Sequence, residues 1–278
     1  MTRPPPDAAD AQPPMTSPAA SALGVVKEVI SPTAAGHTDG SAAVMDLDQI
    51  APASSRVSPA ASAIGFLSGG LAFALLTIWI VRQGAAIPGI DERIHVWVLS
   101  HRTSGSTTFA RAVTWGGVTS VVLPTLVAAG AIAGKHGKDL RRRLGAGLLL
   151  SGIASAGVYV GLQINALSGR GRPPLADWAG TAGGPAYPSG HTTAATLFAA
   201  SCAWALAARA HAGWPRRAIW AGAALYAVAV GWSRIWLGVH WPTDVVGGWL
   251  YGLTWCTGAT SVILAFRRRS ARRRTVKS

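Results

Sequence analysis

The sequence predicts an all-α, six-span transmembrane helical bundle preceded by a disordered N-terminal tail. Two features of composition and one of patterning carry this expectation. Half of the 278 residues are hydrophobic and only 13% are charged, against about 25% charged in an ordinary soluble domain. The apolar residues are gathered into long blocks rather than spread evenly. The formal charge is +14, and its basic residues lie mainly between those blocks and at the C-terminus, as in cytoplasmic loops and lipid-facing tails.

Residues 1–60 are rich in Pro, Ala, Ser and Asp and have no sustained apolar period. Such a segment buries too little surface to offset the entropy of ordering it, so a disordered cytoplasmic tail is expected. No basic segment there leads straight into an apolar core, so it does not resemble a signal peptide. Six spans follow, each judged against the ~20 residues that cross ~30 Å of hydrocarbon. They run from Ile64 to Val81, Val113 to Ala133, Leu144 to Ile164, His191 to Ala208, Ala218 to Trp232 and Val245 to Phe266. Pro124 in the second is tolerable in a membrane helix. The stretch from Pro88 to Arg111 is mixed and amphipathic and reads as a surface helix or loop. Residues 61–266 thus form the six-span domain, and 267–278 a basic cytoplasmic tail.

Orientation follows from charge. Lys135, Lys138 and Arg141 to Arg143, then Arg209, Arg216 and Arg217, then the arginines from 267 to 274 fall on one side of a six-span chain. The positive-inside rule makes that side cytoplasmic. Trp79, Trp97, Trp115, Trp214, Trp236 and Trp241 lie near span ends, as interfacial anchoring predicts. Nucleic-acid binding would be the first thought for so basic a soluble protein, but no recognition motif accompanies the charge. Cys202 and Cys256 sit in apolar segments and read as packing residues, with no disulfide framework or metal motif.

Three polar clusters interrupt the apolar background, all on the outer side. Gly169-Arg170-Gly171-Arg172-Pro173 follows the third span, Pro188-Ser189-Gly190-His191 opens the fourth, and Ser233-Arg234 with His240 and Asp244 bridges the last two. Arginine forks match phosphate oxygens. A Ser-Gly turn opening a helix offers free N–H groups to an anion. Two histidines can divide the work of nucleophile and general acid. Asp244 can fix the tautomer of His240 and leave the other ring nitrogen free to attack. Each cluster alone has a plainer reading: head-group-binding arginines, an N-capping serine, a structural His–Asp pair. Their coincidence on one face favours chemistry, since polar groups near membrane depth are costly.

These clusters resemble the three motifs of the type 2 phosphatidic acid phosphatase superfamily: Lys-x6-Arg-Pro, Pro-Ser-Gly-His and Ser-Arg-x5-His-x3-Asp. The second and third match residue for residue, and the resemblance covers roughly residues 60–266. It implies that His240 attacks phosphorus, that Asp244 orients His240, and that His191 protonates the leaving oxygen and later activates water. It further implies that Arg172 and Arg234 hold the phosphoryl oxygens, with Ser189 and the Gly190 N–H adding hydrogen bonds. The first motif departs from the pattern: Asn165 stands where the family has lysine, which removes a charge, and Arg170 is the substitute cation within reach along the chain.

The function expected is hydrolysis of a lipid phosphate or diphosphate through a phosphohistidine at the outer face of a bacterial plasma membrane. No cofactor or metal is expected, and the partners are the lipid substrate and membrane lipids. Four other readings fit parts of the pattern. His191, His240 and Asp244 are ligand types for a divalent ion, but the neighbouring arginines would repel one. Vanadium haloperoxidases share the motifs without the spans. A non-enzymatic membrane protein binding lipid phosphate or a partner would have less reason to retain both histidines, Asp244 and both motif arginines. A transporter would show paired interrupted helices. The remaining histidines, His95 among them, read as loop or interface residues, and Asp91 with Glu92 as a solvated surface cluster.

Overall fold

The computed structural model describes residues 58–84, 86–118, 127, 140–207 and 210–275. Nearly all of the expected N-terminal tail, and most of the expected second span, lie outside the described residues. The elements are α1 (Pro59–Gln83), α2 (Gly89–His101), α3 (Ser104–Thr114), α4 (Leu140–Ser168), α5 (Gly190–Ala207), α6 (Trp214–Trp236) and α7 (Pro242–Thr275). Short 3-10 turns cover Trp115–Gly117 and Leu175–Asp177.

The helix starts follow local chemistry. Ser58 caps α1, its hydroxyl accepting from the Ala61 N–H at 3.2 Å, with Pro59 at the first helical position. Thr103 and Ser106 close a reciprocal capping box on α3. Pro242 opens α7 and places Asp244 in its first turn, where a carboxylate meets the positive end of the helix dipole.

The all-α expectation holds, but six spans do not. Four helices among the described residues are long and apolar enough to cross a bilayer: Pro59–Gln83, Gly147–Ser168, Trp214–Trp236 and Pro242–Arg269. The expected fourth span forms α5, which has only 18 residues and opens with His191, Thr192 and Thr193. Its Thr192, Thr193, Thr196, Leu197 and Ala203 are buried against protein, making it a core helix. The expected second span begins differently as well: Val113 and Thr114 end amphipathic α3, and a 3-10 turn follows.

α1 lies antiparallel along α7. Ser62 and Ser261 share a hydrogen bond at 3.0 Å, while Gly65 faces Thr257 and Gly69 faces Thr254. α5 packs against α4, α6 and α7. The α5–α7 seam is closed by Gly248, where an added Cβ would meet Thr192 Cβ at 2.8 Å and the Ser189 carbonyl at 3.0 Å. Glycine here lets α7 approach the turn that opens α5.

The outer faces of the long helices remain apolar. Leu67, Leu71, Leu225 and Val262 are exposed, and only 6% of the α1 span is covered by protein. A water-soluble monomer rarely exposes so much contiguous apolar surface; in hydrocarbon it is the expected lining. The chain is an integral membrane protein. The C-terminal ends of α4 and α6 and the N-terminal ends of α5 and α7 meet at one end of the bundle, and the polar clusters meet there.

Candidate active site

His240 lies in the turn between α6 and α7 and is 1% exposed. Its Nδ1 faces Asp244 Oδ2 at 3.3 Å, and its Nε2 faces Arg172 Nη1 at 2.9 Å. A guanidinium only donates and a carboxylate only accepts, so the network assigns the proton to Nδ1 and the lone pair to Nε2. Burial first, and then the cations of Arg172 and Arg234, push the His240 pKa well below its ordinary value. The imidazole is therefore neutral, with an intact lone pair, at neutral pH.

The turn bearing His240 is set by Gly238, whose φ is 69°. A Cβ there would come within 2.5 Å of the Asp177 carbonyl oxygen, so both backbone conformation and space require glycine. Asp244 is fully buried and saturated. Beyond His240, it accepts from the Trp241 N–H at 2.8 Å and from Arg170 Nη1 at 2.5 Å. Its carbonyl accepts from the Ser189 N–H at 3.0 Å, linking the third cluster to the second.

Arg172 is positioned almost wholly by backbone oxygens. Its Nε donates to Gly184, Nη1 to Val239, and Nη2 to Gly183 and Pro185, at 2.7 to 2.9 Å. Trp178 lies 6.0 Å from its guanidinium carbon, within cation–π range. None of these partners is anionic. Burial lowers its pKa, with Asp244 acting in the opposite sense.

Arg234 is 2% exposed, donating to Thr114 Oγ1 at 2.8 Å and the Thr181 carbonyl at 3.0 Å. Among the described residues, its Nε is buried without a hydrogen-bond partner. An orphaned cationic donor is expensive in a closed structure, and a phosphoryl oxygen would satisfy it. His191 opens α5 close to both arginines. Burial first, then Arg234, His240 and Arg172, lower its pKa to about 3. Ser189 is fully buried, its Oγ accepting from Thr192 Oγ1 at 3.0 Å. The Thr193 N–H bonds the Ser189 carbonyl, so the amides of Gly190 and its two successors belong to the unpaired first turn.

His240, Asp244, Arg172, Arg234, His191, Ser189 and Gly190 therefore meet at one end of the bundle. Two other expected site residues are engaged by protein groups. Asn165 Nδ2 donates to the carbonyls of Pro185 at 2.9 Å and Pro188 at 3.1 Å, tying α4 to the loop before α5. Arg170 is 7% exposed and directs its fork at Asp91 and Asp244.

Several neighbours were not recognised from sequence. Asp91 is fully buried, not solvated. His95 is also buried, its Nε2 3.0 Å from Asp177 Oδ2 and its ring 5.2 Å from that of Trp241. Trp241 is 5% exposed and donates to the Gly171 carbonyl, so it is a core residue and not an interfacial anchor. The sequence offers no signal for these partners, because each contact joins residues 70 or more positions apart. Among the described residues, no group of three or more His, Cys, Asp or Glu side chains converges to hold a metal ion.

Fold and site together define an integral membrane helical protein with a buried cluster of arginines around a histidine that faces a carboxylate. A family model described as the PAP2 superfamily matches residues 144–268. Over residues 144–268 the chain is homologous to this superfamily, the type 2 phosphatidic acid phosphatases. It is 40% identical over 75 residues to the Escherichia coli (strain K12) protein named "Putative undecaprenyl-diphosphatase YbjG", over 26% of this chain and 32% of that one. It is 39% identical over 71 residues to the undecaprenyl-diphosphatase of Sulfolobus acidocaldarius, over 24% of this chain and 28% of that one. The matched stretches thus span about a third of the length of these curated relatives. The crystal structure of the first transmembrane PAP2 type phosphatidylglycerolphosphate phosphatase from Bacillus subtilis superposes with a TM-score of 0.62 at 25% identity. That match covers 73% of this chain and 96% of that one.

Proposed function

We propose that the protein is a membrane phosphatase that hydrolyses a lipid phosphate or diphosphate through a phosphohistidine on His240. One observation carries the reading: the His240 ring is held between Asp244 on Nδ1 and Arg172 on Nε2, at 3.3 and 2.9 Å. A lone pair on Nε2 thus lies beside a cation suited to phosphoryl oxygens. Arriving oxygens draw the Arg172 donors away from Nε2 and occupy the Arg234 Nε, with the first-turn amides of α5 adding N–H groups.

The Nε2 lone pair forms the N–P bond as the bond from phosphorus to the leaving oxygen breaks. Asp244 stabilises the positive charge that develops on the ring. His191 delivers a proton to the leaving oxygen. It is neutral at rest, so that proton enters with the substrate, whose second phosphate pKa is ~6. Neutral His191 then takes a proton from water, hydroxide attacks phosphorus, and the N–P bond breaks, returning His240 to its starting state. The proton on His191 passes to the released phosphate, which leaves as dihydrogen phosphate, and His191 is neutral again. No metal or cofactor takes part in this scheme.

The basic residues support an extracytoplasmic site. Arg216 and Arg217 begin α6, and Arg267, Arg268 and Arg269 lie late in α7, both at the end of the bundle remote from His240. The positive-inside rule assigns that end to the cytoplasm. The relatives' names divide between a polyprenyl diphosphate and a phosphatidylglycerol phosphate. What these substrates share is a terminal phosphoryl group on a lipid, and that shared chemistry is the proposed specificity.

The test is phosphate release by purified protein in detergent, from phosphatidic acid and from a polyprenyl diphosphate, with EDTA present. Release by wild type that persists in EDTA and vanishes in His240→Ala is the expected result. Equal, negligible release by both proteins from both lipids would defeat the reading and favour a lipid-phosphate-binding protein without activity.

A further inference from the structure

Asp91 belongs to none of the polar clusters, yet it is among the most fully bonded charged groups beside the site. It projects from the first turn of α2 and is 0% exposed. Its Oδ2 accepts from Arg170 Nη2 and from Thr243 Oγ1, both at 2.6 Å, and its Oδ1 accepts from the Thr243 N–H at 2.9 Å. The other arm of Arg170 donates to Asp244 Oδ1 at 2.5 Å and to Thr243 Oγ1 at 2.7 Å. A continuous buried chain therefore runs from Asp91 through Arg170 and Asp244 to His240.

Charge counting gives this chain a consequence. Two buried carboxylates share one guanidinium, so Asp91, Arg170 and Asp244 together carry one net negative charge. Were Asp91 absent, Arg170 would neutralise Asp244, and the Nδ1–H of His240 would face no net charge. With Asp91 present, the extra negative charge remains next to the ring that becomes cationic as Nε2 attacks. Among the described residues, the other charged or titratable groups acting on His240 are Arg172 from the preceding loop, Arg234 from α6 and His191 from α5, and none of these three supplies negative charge.

We infer that Asp91 is a positioning residue for the nucleophile: it anchors Arg170 and leaves the charge of Asp244 available to His240. This rests on the phosphohistidine reading above and extends it to a residue outside the motifs. It also gives Arg170 a role distinct from phosphate contact, because both arms of its fork are engaged by carboxylates.

Asp91→Asn tests the inference with little change of shape, since the amide oxygen can still accept from the Thr243 N–H. Phosphohistidine formation per folded molecule should slow about tenfold, the scale of coupling through one hydrogen-bonded network, with KM changed less than about twofold. The acidic limb of the pH–rate profile should move to lower pH, because His240 loses basicity. Asp91→Glu, which restores the charge, should recover most of the rate. Wild-type rate and profile in Asp91→Asn would overturn the inference. So would a slower rate with an unmoved acidic limb and no recovery in Asp91→Glu, the outcome of a purely structural role. Failure of wild type itself to form phosphohistidine would overturn the underlying phosphatase reading, and this inference with it.

Discussion

Replacing Asp244 by asparagine changes charge and hydrogen-bond polarity at the centre of the site while keeping its shape. One carboxylate oxygen faces Arg170 at 2.5 Å; the other faces the Trp241 N–H at 2.8 Å and His240 Nδ1 at 3.3 Å. All three partners are donors in the assigned network. Either orientation of the amide therefore sets an NH2 against a donor. Turned toward His240, the NH2 makes Nδ1 an acceptor and moves the ring proton to Nε2. Nε2 then loses its lone pair and meets Arg172 Nη1 donor to donor. Turned toward Arg170, it leaves a buried guanidinium short of one anion. In serine proteases the corresponding exchange costs about 10⁴ in kcat through the wrong tautomer. The weaker 3.3 Å contact here lowers the expectation to about 10³. Breaking a buried charge pair also costs about 3–5 kcal/mol of stability, so activity must be expressed per folded molecule. The assay is phosphate release in detergent, normalised by thermal unfolding of the same sample. A folded Asp244→Asn protein within tenfold of the wild-type kcat would refute the assigned tautomer and the role given to Asp244.

Three further outcomes follow from the same geometry. Arg234→Lys should lower kcat/KM about 10²-fold or more, since an ammonium cannot hold Thr114 and the Thr181 carbonyl while presenting a donor to phosphate; steady-state kinetics decide this. Gly238→Ala should destabilise the fold by at least about 2 kcal/mol, combining a φ of 69° with a Cβ 2.5 Å from the Asp177 carbonyl, read from denaturant unfolding in detergent. Stability should also depend on pH through His191, held at about 3 against 6.5 for the free side chain. The unfolded chain takes up a proton between those values that the folded chain refuses. Stability is therefore full above about pH 6.5 and falls as pH drops toward 3, by about 1.4 kcal/mol per pH unit. His240 acts in the same direction, and His191→Gln should make the slope shallower.

The residues that converge on the site were legible because each motif is local. Ser189-Gly190-His191 and His240 to Asp244 are close neighbours in sequence, and helix ends bring such neighbours together. Asp91 was not legible. Its meaning depends on Arg170, 79 positions away, and an acidic pair at a helix start looks the same whether it faces water or a buried arginine. Asn165 was read as a lost charge, whereas its amide ties two loop carbonyls to α4. The apolar blocks at α1, α4, α6 and α7 are long enough to span, but α5 shows where hydropathy misleads. Leu197 and most of its alanines line a protein interior, and periodicity does not distinguish that from a lipid-facing helix.

The most direct measurement is the chemical identity and position of the phosphorylated residue during turnover. Protein quenched rapidly after mixing with a phosphorus-labelled lipid phosphate should carry an acid-labile, base-stable phosphoryl group, mapped by mass spectrometry to His240 and absent from His240→Ala. Turnover without such an intermediate, or with phosphate on any other residue, would contradict the account.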